Sequence, residues 1–358
     1  MKIGILTFHR AHNYGAVLQA YALVTYLRNV GYHAEIVDYR PKAIEEAHGT
    51  IPYGRIRKMS IKGKVRFLLR LLPFTYLRYK RAKIFCKFIE ALPTSTKIYT
   101  SSDTELSDYD YLICGSDQVW NPNITDGFDS FYTGRVKTNA HFVSYAASAE
   151  ITPQQTTIEQ YRDILSNFDR VSVRESIFQE QLSKLAIKKI EQVLDPIFLL
   201  TPEQWKSVSL NPFDSKSYIL VYQVKRDDYV LQYARDLAKI HNCYVREITA
   251  EAEFMPNPER HVTLSPQEFV GAFANAKMVV TTSFHGTAFS VMFNKPFATM
   301  MFGTPGDYRA LDLMNTLGIE NSTIARQSKA KDFVCQPRKA FNLDKMLRQS
   351  KMFLKFNE

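Results

Sequence analysis

Residues 278–296 read MVVTTSFHGTAFSVMFNKP, and the fold follows from how this stretch divides. Its first five residues, rich in Val and Thr, make the short apolar run that a buried strand requires. Ser283, Phe284, His285, Gly286 and Thr287 break that run. Residues 288–293 are apolar on most sides, which predicts a buried helix closed by Asn294, Lys295 and Pro296. His285 thus falls at a strand-to-helix junction. In an α/β sheet such junctions lie at the carboxyl edge of the strands, where ligands bind. The N–H groups that open the next helix suit an anion. The competing reading is a histidine that merely caps the helix.

Outward from this stretch, the second half of the chain alternates. Residues 218–223 and 244–249 predict strands around a helix at 228–241. Ser265, Pro266 and Glu268 open another helix with a capping signature. Residues 297–301 predict a strand, 303–309 a loop containing Arg309, and 310–317 a helix that stops at Gly318. The first half begins the same way, with a strand over 2–8, a helix over 16–30 and a strand over 33–38. This is a Rossmann-type opening without a GxGxxG loop, so a dinucleotide is not indicated. Its loop offers His9, Arg10, His12 and Asn13. Further strands over 109–114, 141–147, 170–173 and 191–194 lead into CGSDQVWN (114–121), Ser148, Arg174-Glu175-Ser176 and Asp195-Pro196. A helix is expected over 157–168, and another runs from Ser176 to Leu185.

The expected architecture is α/β: two Rossmann-like domains with an interdomain cleft, GT-B-like, over 1–210 and 211–342. Residues 343–358 form an amphipathic tail expected to pack back on the first domain. Residues 43–92 interrupt the alternation as a helical insertion, read as two short helices over 66–72 and 80–92 separated at Pro73. Between 55 and 88 stand twelve basic residues and no acid, which outweighs the whole net charge of +10. The excess is local, so a basic nucleic-acid-binding surface is not expected. A cationic helix with aromatic residues suits an anionic membrane surface; a solvated charged face is the other reading.

The 358 residues contain no apolar run long enough to span a bilayer, and the amino terminus reads as a strand, not a signal peptide. A cytoplasmic protein, peripheral at the inner membrane face through residues 55–88, is the expectation. Cys86, Cys114, Cys243 and Cys335 lie far apart in sequence without a CxxC, so neither zinc nor a disulfide framework is suggested. There is no HExxH, P-loop or carboxylate cluster, and Asp195 alone is a weak metal candidate. As a histidine, His285 is the candidate general acid or base. Arg174 and Arg309 supply planar forks for carboxylate or phosphate. Asn13, Asp117, Trp120 and Asn121 are candidates to hold hydroxyls and a sugar ring. These residues predict a cofactor-free transferase acting on a small anionic donor.

The order of six motifs adds to this: Asn13-Tyr14-Gly15-Ala16, CGSDQVWN, Ser144 to Ser148, Val173 to Ser176, Leu194-Asp195-Pro196 and Ser283 to Thr287. Together they resemble the polysaccharide pyruvyl transferase family. The resemblance implies transfer of pyruvate from phosphoenolpyruvate onto a sugar as a cyclic ketal, in the synthesis of a capsule, exopolysaccharide or cell-wall glycan on a lipid-linked acceptor. It implies His285 as general acid/base and Arg174 as a donor contact, with Ser283, Gly286 and Thr287 around the donor. In parts of the family an Arg stands two residues before the motif His; here that position is Ser283, and Arg309 or Arg10 are candidates to replace it. Two other readings stand beside this one. They are a nucleotide-sugar glycosyltransferase on the same fold and a non-catalytic glycan-binding module.

Overall fold

The computed structural model describes residues 1–42, 44–45, 60–100, 105–150, 158–224, 226–249, 257–320, 322–334 and 339–356, and of 63–75 the backbone alone. The chain divides into two compact units. One holds Met1–Pro52, Cys86–Leu200 and Leu343–Glu358, the other Tyr53–Phe85 and Thr201–Asn342.

The first unit is built on seven strands: β1 (Lys2–Leu6), β2 (His33–Tyr39), β3 (Thr94–Tyr99), β4 (Tyr111–Cys114), β5 (His141–Ala147), β6 (Arg170–Val173) and β7 (Ile190–Gln192). Their order is β3-β2-β1-β4-β5-β6-β7, and every pairing is parallel. Such a sheet must be covered on both faces, which explains strands of nearly continuous apolar residues. Helix α1 (Tyr14–Asn29) starts where the Asn13 side chain accepts from the N–H groups of Gly15 and Ala16. The β3 edge strand, TSTKIY, has no place in the sequence reading, because its polar residues face solvent at the sheet margin.

Helix α2 (Ile61–Glu90) corrects the expectation of two short helices: it runs on through Pro73. A proline removes one hydrogen bond, but helix propagation is cooperative. The far half is anchored by buried Phe85, Phe88 and Ile89, with Phe88 against Tyr21 of α1. Over the expected helix at 157–168, the described residues form a 3-10 turn (Glu159–Tyr161) and a short helix (Arg162–Ser166). After β6 comes α3 (Ser176–Ser183).

The second unit opens with α4 (Pro202–Val208), whose Thr201 and Gln204 form a reciprocal cap. The division thus falls at Leu200/Thr201, not at 210/211. Trp205 of α4 is buried edge-to-face on Phe289, 5.3 Å between rings, so this helix packs in the second core. The sheet comprises β8 (Tyr218–Gln223), β9 (Tyr244–Thr249), β10 (Arg260–His261), β11 (Met278–Thr281), β12 (Phe297–Met300) and β13 (Thr323–Ile324). Its order is β10-β9-β8-β11-β12-β13, again wholly parallel. Helices α5 (Asp228–His241), α6 (Pro266–Asn275), α7 (Phe284–Met292) and α8 (Asp307–Leu317) connect the strands. Both halves are therefore α/β with a doubly wound parallel sheet.

Helix α9 (Leu343–Phe353) returns to the first unit. Its Ser350 hydroxyl accepts from the Leu194 N–H at 2.8 Å. Arg170 donates to the Phe353 carbonyl at 2.7 Å and lies 4.4 Å from that ring.

Candidate functional site

A doubly wound sheet opens a crevice where its strand order reverses, at the carboxyl ends of the two strands that flank the reversal. In the second unit those strands are β8 and β11. The chain leaves β11 at Thr281, and α7 begins three residues later with His285 in its first turn. The turn is built by hydroxyls. Thr281 Oγ1 donates to the Tyr222 carbonyl at 2.8 Å and accepts from the Ser283 N–H at 3.1 Å. Thr287 Oγ1 donates to the Ser283 carbonyl at 3.1 Å, or alternatively shares its proton with Thr299 Oγ1 at 2.9 Å. Ser290 Oγ donates to the Gly286 carbonyl at 2.7 Å. The Ser283 side chain makes no cap on α7.

His285 is 7% exposed and stands edge-on to Phe284 at 5.0 Å. Gly286 and Thr287 are also buried. Their side-chain positions serve the turn: Gly286 packs on Thr281, and Thr287 is tied to Ser283 and β12. After β12, the Asp307 carboxylate accepts from Phe302 N at 2.7 Å and Thr304 N at 3.0 Å, which orders the loop before α8. Arg309 lies in the first turn of α8, half-buried, and α8 packs on α7.

In the first unit the reversal lies between β1 and β4. The loop after β1 carries His9, whose Nε2 lies 3.2 Å from Asp38 Oδ1 and whose Nδ1 lies 3.2 Å from the Thr7 carbonyl. Arg40 also binds Asp38, with Nη2 2.7 Å from Oδ2. Burial alone would raise the Asp38 pKa, but the His9 and Arg40 hydrogen bonds prevail and hold it well below the ordinary carboxylate range. Arg10, a candidate donor contact, is paired to Glu45 at 2.6 Å. Asn13 spends its side-chain oxygen on capping α1.

The loop after β4 corrects two further expectations. Trp120 is fully buried, donates through Nε1 to the Tyr132 carbonyl at 2.7 Å, and packs edge-on against Phe168 and Phe178. It is a core residue with no face left for a sugar. Asn121 is buried as well: it caps the short helix Pro122–Thr125 and donates to Gln118 Oε1 at 2.8 Å. Asp117 is half-buried at the carboxyl edge, with a left-handed φ of 73° and its Oδ1 on the Gln118 N–H.

Arg174 is the third correction. Its side chain is 2% exposed. Nε donates to Glu175 Oε1 at 2.8 Å, Nη1 to Asp195 Oδ2 at 2.9 Å and Nη2 to Ser148 Oγ at 3.0 Å. The fork expected to face a donor is occupied by the protein itself. The same bonds give Asp195, the weak metal candidate, a structural task. Its Oδ1 also accepts from the Ile197 N–H at 3.1 Å. Among the described residues no group of His, Cys, Asp and Glu is arranged to hold a metal ion. Sequence reasoning missed Ser148, Glu175 and Asp195 as partners of Arg174. The one available signal was that each stands shortly after a strand end of the same sheet.

On the basic helix, Arg81 is buried, with Nη1 donating to the Val262 carbonyl at 2.8 Å and the guanidinium 4.7 Å from the Phe85 ring centroid. It is not part of any outward cationic face. Lys80, Lys83 and Lys87 are exposed, as are Tyr76 (66%) and Tyr79 (56%). Arg55, Arg57, Lys58 and Cys335, together with the side chains of Lys64, Arg66 and Arg70, lie outside the described residues. Among the described residues no helix is long and apolar enough to cross a membrane.

Three comparisons with known proteins bear on this. No curated protein sequence matches the chain significantly. Among solved structures, UDP-GlcNAc 2-epimerase from Neisseria meningitidis is similar at TM-score 0.48 and 10% identity, over 98% of this chain and 100% of that one. The same enzyme from Methanocaldococcus jannaschii is similar at 0.46 and 10%, over 100% and 94%. E. coli heptosyltransferase WaaC with ADP is similar at 0.40 and 12%, over 98% and 100%. Likenesses this distant carry no argument, and the fold class rests on the two parallel sheets themselves. The sequence profile of the polysaccharide pyruvyl transferases matches residues 13–301, a span that runs from the cap of α1 past His285 to the end of β12. With that match over most of its length, the chain belongs to the polysaccharide pyruvyl transferase family.

Proposed function

We propose that this protein moves the pyruvyl group of phosphoenolpyruvate onto two hydroxyls of a sugar, forming a cyclic ketal and releasing phosphate. The observation that carries the reading is the place of His285: in the first turn of α7, at the strand-order reversal of a parallel sheet, within the family match. Phosphoenolpyruvate carries two anionic groups. A helix start, as at α7, suits one of them, and Arg309 is the fork proposed for the other. Arg10 is a weaker candidate because Glu45 already holds it.

In this reading His285, protonated, delivers a proton to the methylene carbon of the donor. The double-bond electron pair forms the new C–H bond and leaves an oxocarbenium-like centre on the carbon that bears the phosphate. One sugar hydroxyl adds there and gives its proton back to His285. The C–O bond to phosphate then breaks, and the second hydroxyl adds to close the ring, its proton leaving with phosphate. One hydroxyl proton therefore balances the new methyl hydrogen. A positioned acid/base of this kind supplies about 10²–10⁴ in rate. Asp117, at the carboxyl edge of the first sheet, is the acceptor contact we retain from the sequence reading; Asn13, Trp120 and Asn121 are already engaged within the protein.

We include a lipid-linked acceptor in this reading, met at an anionic inner membrane surface. The support is a stripe on α2. Tyr76, Tyr79, Lys80, Lys83 and Lys87 are exposed at helical spacings of three and four, with Arg81, Phe85, Phe88 and Ile89 buried on the other side.

The test is a mass-spectrometric assay with carbon-labelled phosphoenolpyruvate and a panel of simple and lipid-linked galactosides, mannosides and glucosides. We expect a labelled three-carbon addition from the wild type and none from His285→Ala. Transfer from a nucleotide sugar, with no label incorporated, would replace the proposal with a glycosyltransferase.

A further inference from the structure

We infer that Arg174 is a positioning residue: it clamps the ends of β4 to β7 and thereby holds Asp117 at the carboxyl edge of the first sheet. The inference rests on the pyruvyl-transfer reading for its kinetic consequence, though not for the clamp itself.

Strand register sets the carboxyl ends of β4, β5, β6 and β7 side by side. The residue that follows each strand, or nearly follows it, points into one buried cluster: Ser116, Ser148, Arg174 with Glu175, and Asp195. A single guanidinium reaches three of these elements at 2.8–3.0 Å. Ser148 Oγ accepts from Arg174 and donates to Glu175 Oε1 at 2.8 Å, so its one proton is committed. Ser116 Oγ lies 2.9 Å from the Ala146 carbonyl and 3.3 Å from Asp195 Oδ2, and its N–H donates to Gln19 Oε1 of α1 at 3.3 Å. Gln19 Nε2 in turn donates to Thr7 Oγ1 at 2.7 Å, at the end of β1.

The link to the site is Ser148. Arg174 holds its side chain, and its main chain holds the turn that carries Asp117. Ser148 N donates to the Asp117 carbonyl at 3.0 Å, Trp120 N to the Ser148 carbonyl at 3.2 Å, and Val119 N to the Asp117 carbonyl at 2.8 Å. Asp117 has a φ of 73°, a left-handed conformation that a non-glycine residue keeps only where its surroundings over-determine it. The clamp is that surrounding. A lysine in place of Arg174 keeps a positive charge but is a point donor on a flexible stem, and it cannot span three acceptors arranged for a planar fork.

Arg174→Lys separates this role from a donor contact. Amide hydrogen exchange at Val119, Trp120 and Ser148 is expected to quicken tenfold or more, with the second unit unaffected. In steady state, kcat is expected to fall tenfold or more while KM for phosphoenolpyruvate moves less than threefold. A tenfold rise in that KM with kcat retained would make Arg174 a donor contact and overturn the inference. Unchanged exchange at the three amides would overturn it equally. Should Arg174→Lys fail to fold, Ser148→Ala removes one acceptor without disturbing the charges, and the same amides are expected to quicken by a smaller factor; no change there counts against the clamp. A wild type that transfers no pyruvyl group would sink the proposed function alone, because the exchange measurement reads the clamp without activity.

Discussion

The Cα of Gly286 faces the hydroxyl of Thr281 so closely that a Cβ placed there would lie 2.0 Å from Oγ1 and 2.8 Å from Cβ of that threonine. Thr281 cannot yield, because its hydroxyl already ties the Tyr222 carbonyl to the Ser283 N–H. The glycine is therefore required by close approach and not by backbone conformation, and it sets how near α7 begins to the end of β11. Gly286→Ala is expected to cost about 1–3 kcal/mol as an overpacking change. It also displaces the residue beside it, so the variant should lose more activity than its thermal shift explains at a temperature where it is fully folded. Calorimetry and the transfer assay run together decide this; an alanine variant with wild-type melting and turnover would contradict it.

The cluster around Arg174 holds one cation against two enclosed carboxylates, Glu175 and Asp195. Removing the cation leaves two buried carboxylates without their charge partner. Arg174→Met should therefore destabilise the first unit by about 3–5 kcal/mol. Neutralising the carboxylates as well, in Arg174→Met with Glu175→Gln and Asp195→Asn, should restore a large part of that loss. Urea unfolding of the two variants beside the wild type is the measurement. A triple variant no more stable than the single one would show that charge balance is not what the cluster provides.

Asp38 gives the protein an acid-sensitive contact. Its folded pKa lies below the unfolded value of about 3.9, because the hydrogen bonds from His9 and Arg40 outweigh burial. The unfolded chain thus binds the proton first as pH falls. The stabilisation is fully present above about pH 4 and is lost as pH drops toward the folded value. The stability gap between wild type and Asp38→Asn should be widest near neutrality and narrow below about pH 4. Urea midpoints at several pH values test this, and a gap independent of pH would remove Asp38 from the account.

The exposed stripe on α2 is testable at the residues that face outward. Lys80→Glu with Lys83→Glu and Lys87→Glu should reduce binding to vesicles containing anionic lipid, most clearly at low salt, since exposed charges are screened within about 8 Å at physiological ionic strength. Neutral vesicles should bind neither protein. Arg81 is unsuitable for this test, because its guanidinium is buried against Val262 and Phe85. Equal binding of wild type and triple variant would exclude the stripe as a membrane contact.

What the sequence by itself determined is local. Periodicity and capping residues place α5, α6 and α1 because each helix carries its own start signal in Asp227, Ser265 and Asn13. The apolar run from Met278 and its break at Ser283 place β11 and the junction that carries His285, while α7 itself begins at Phe284, ahead of the apolar stretch 288–293 from which a helix is expected. The six motifs carried the family as well, because order along a chain is a property of sequence. What only the tertiary structure decided is which polar side chains face a ligand and which face one another. Trp120 finds Tyr132, Phe168 and Phe178, and Arg174 finds Ser148 and Asp195 across 26 and 21 residues of chain. No local pattern records such meetings. A guanidinium that binds a substrate anion and one that binds two buried carboxylates need the same residue; the difference lies in what strand register brings beside it, and that is fixed only once the sheet has formed.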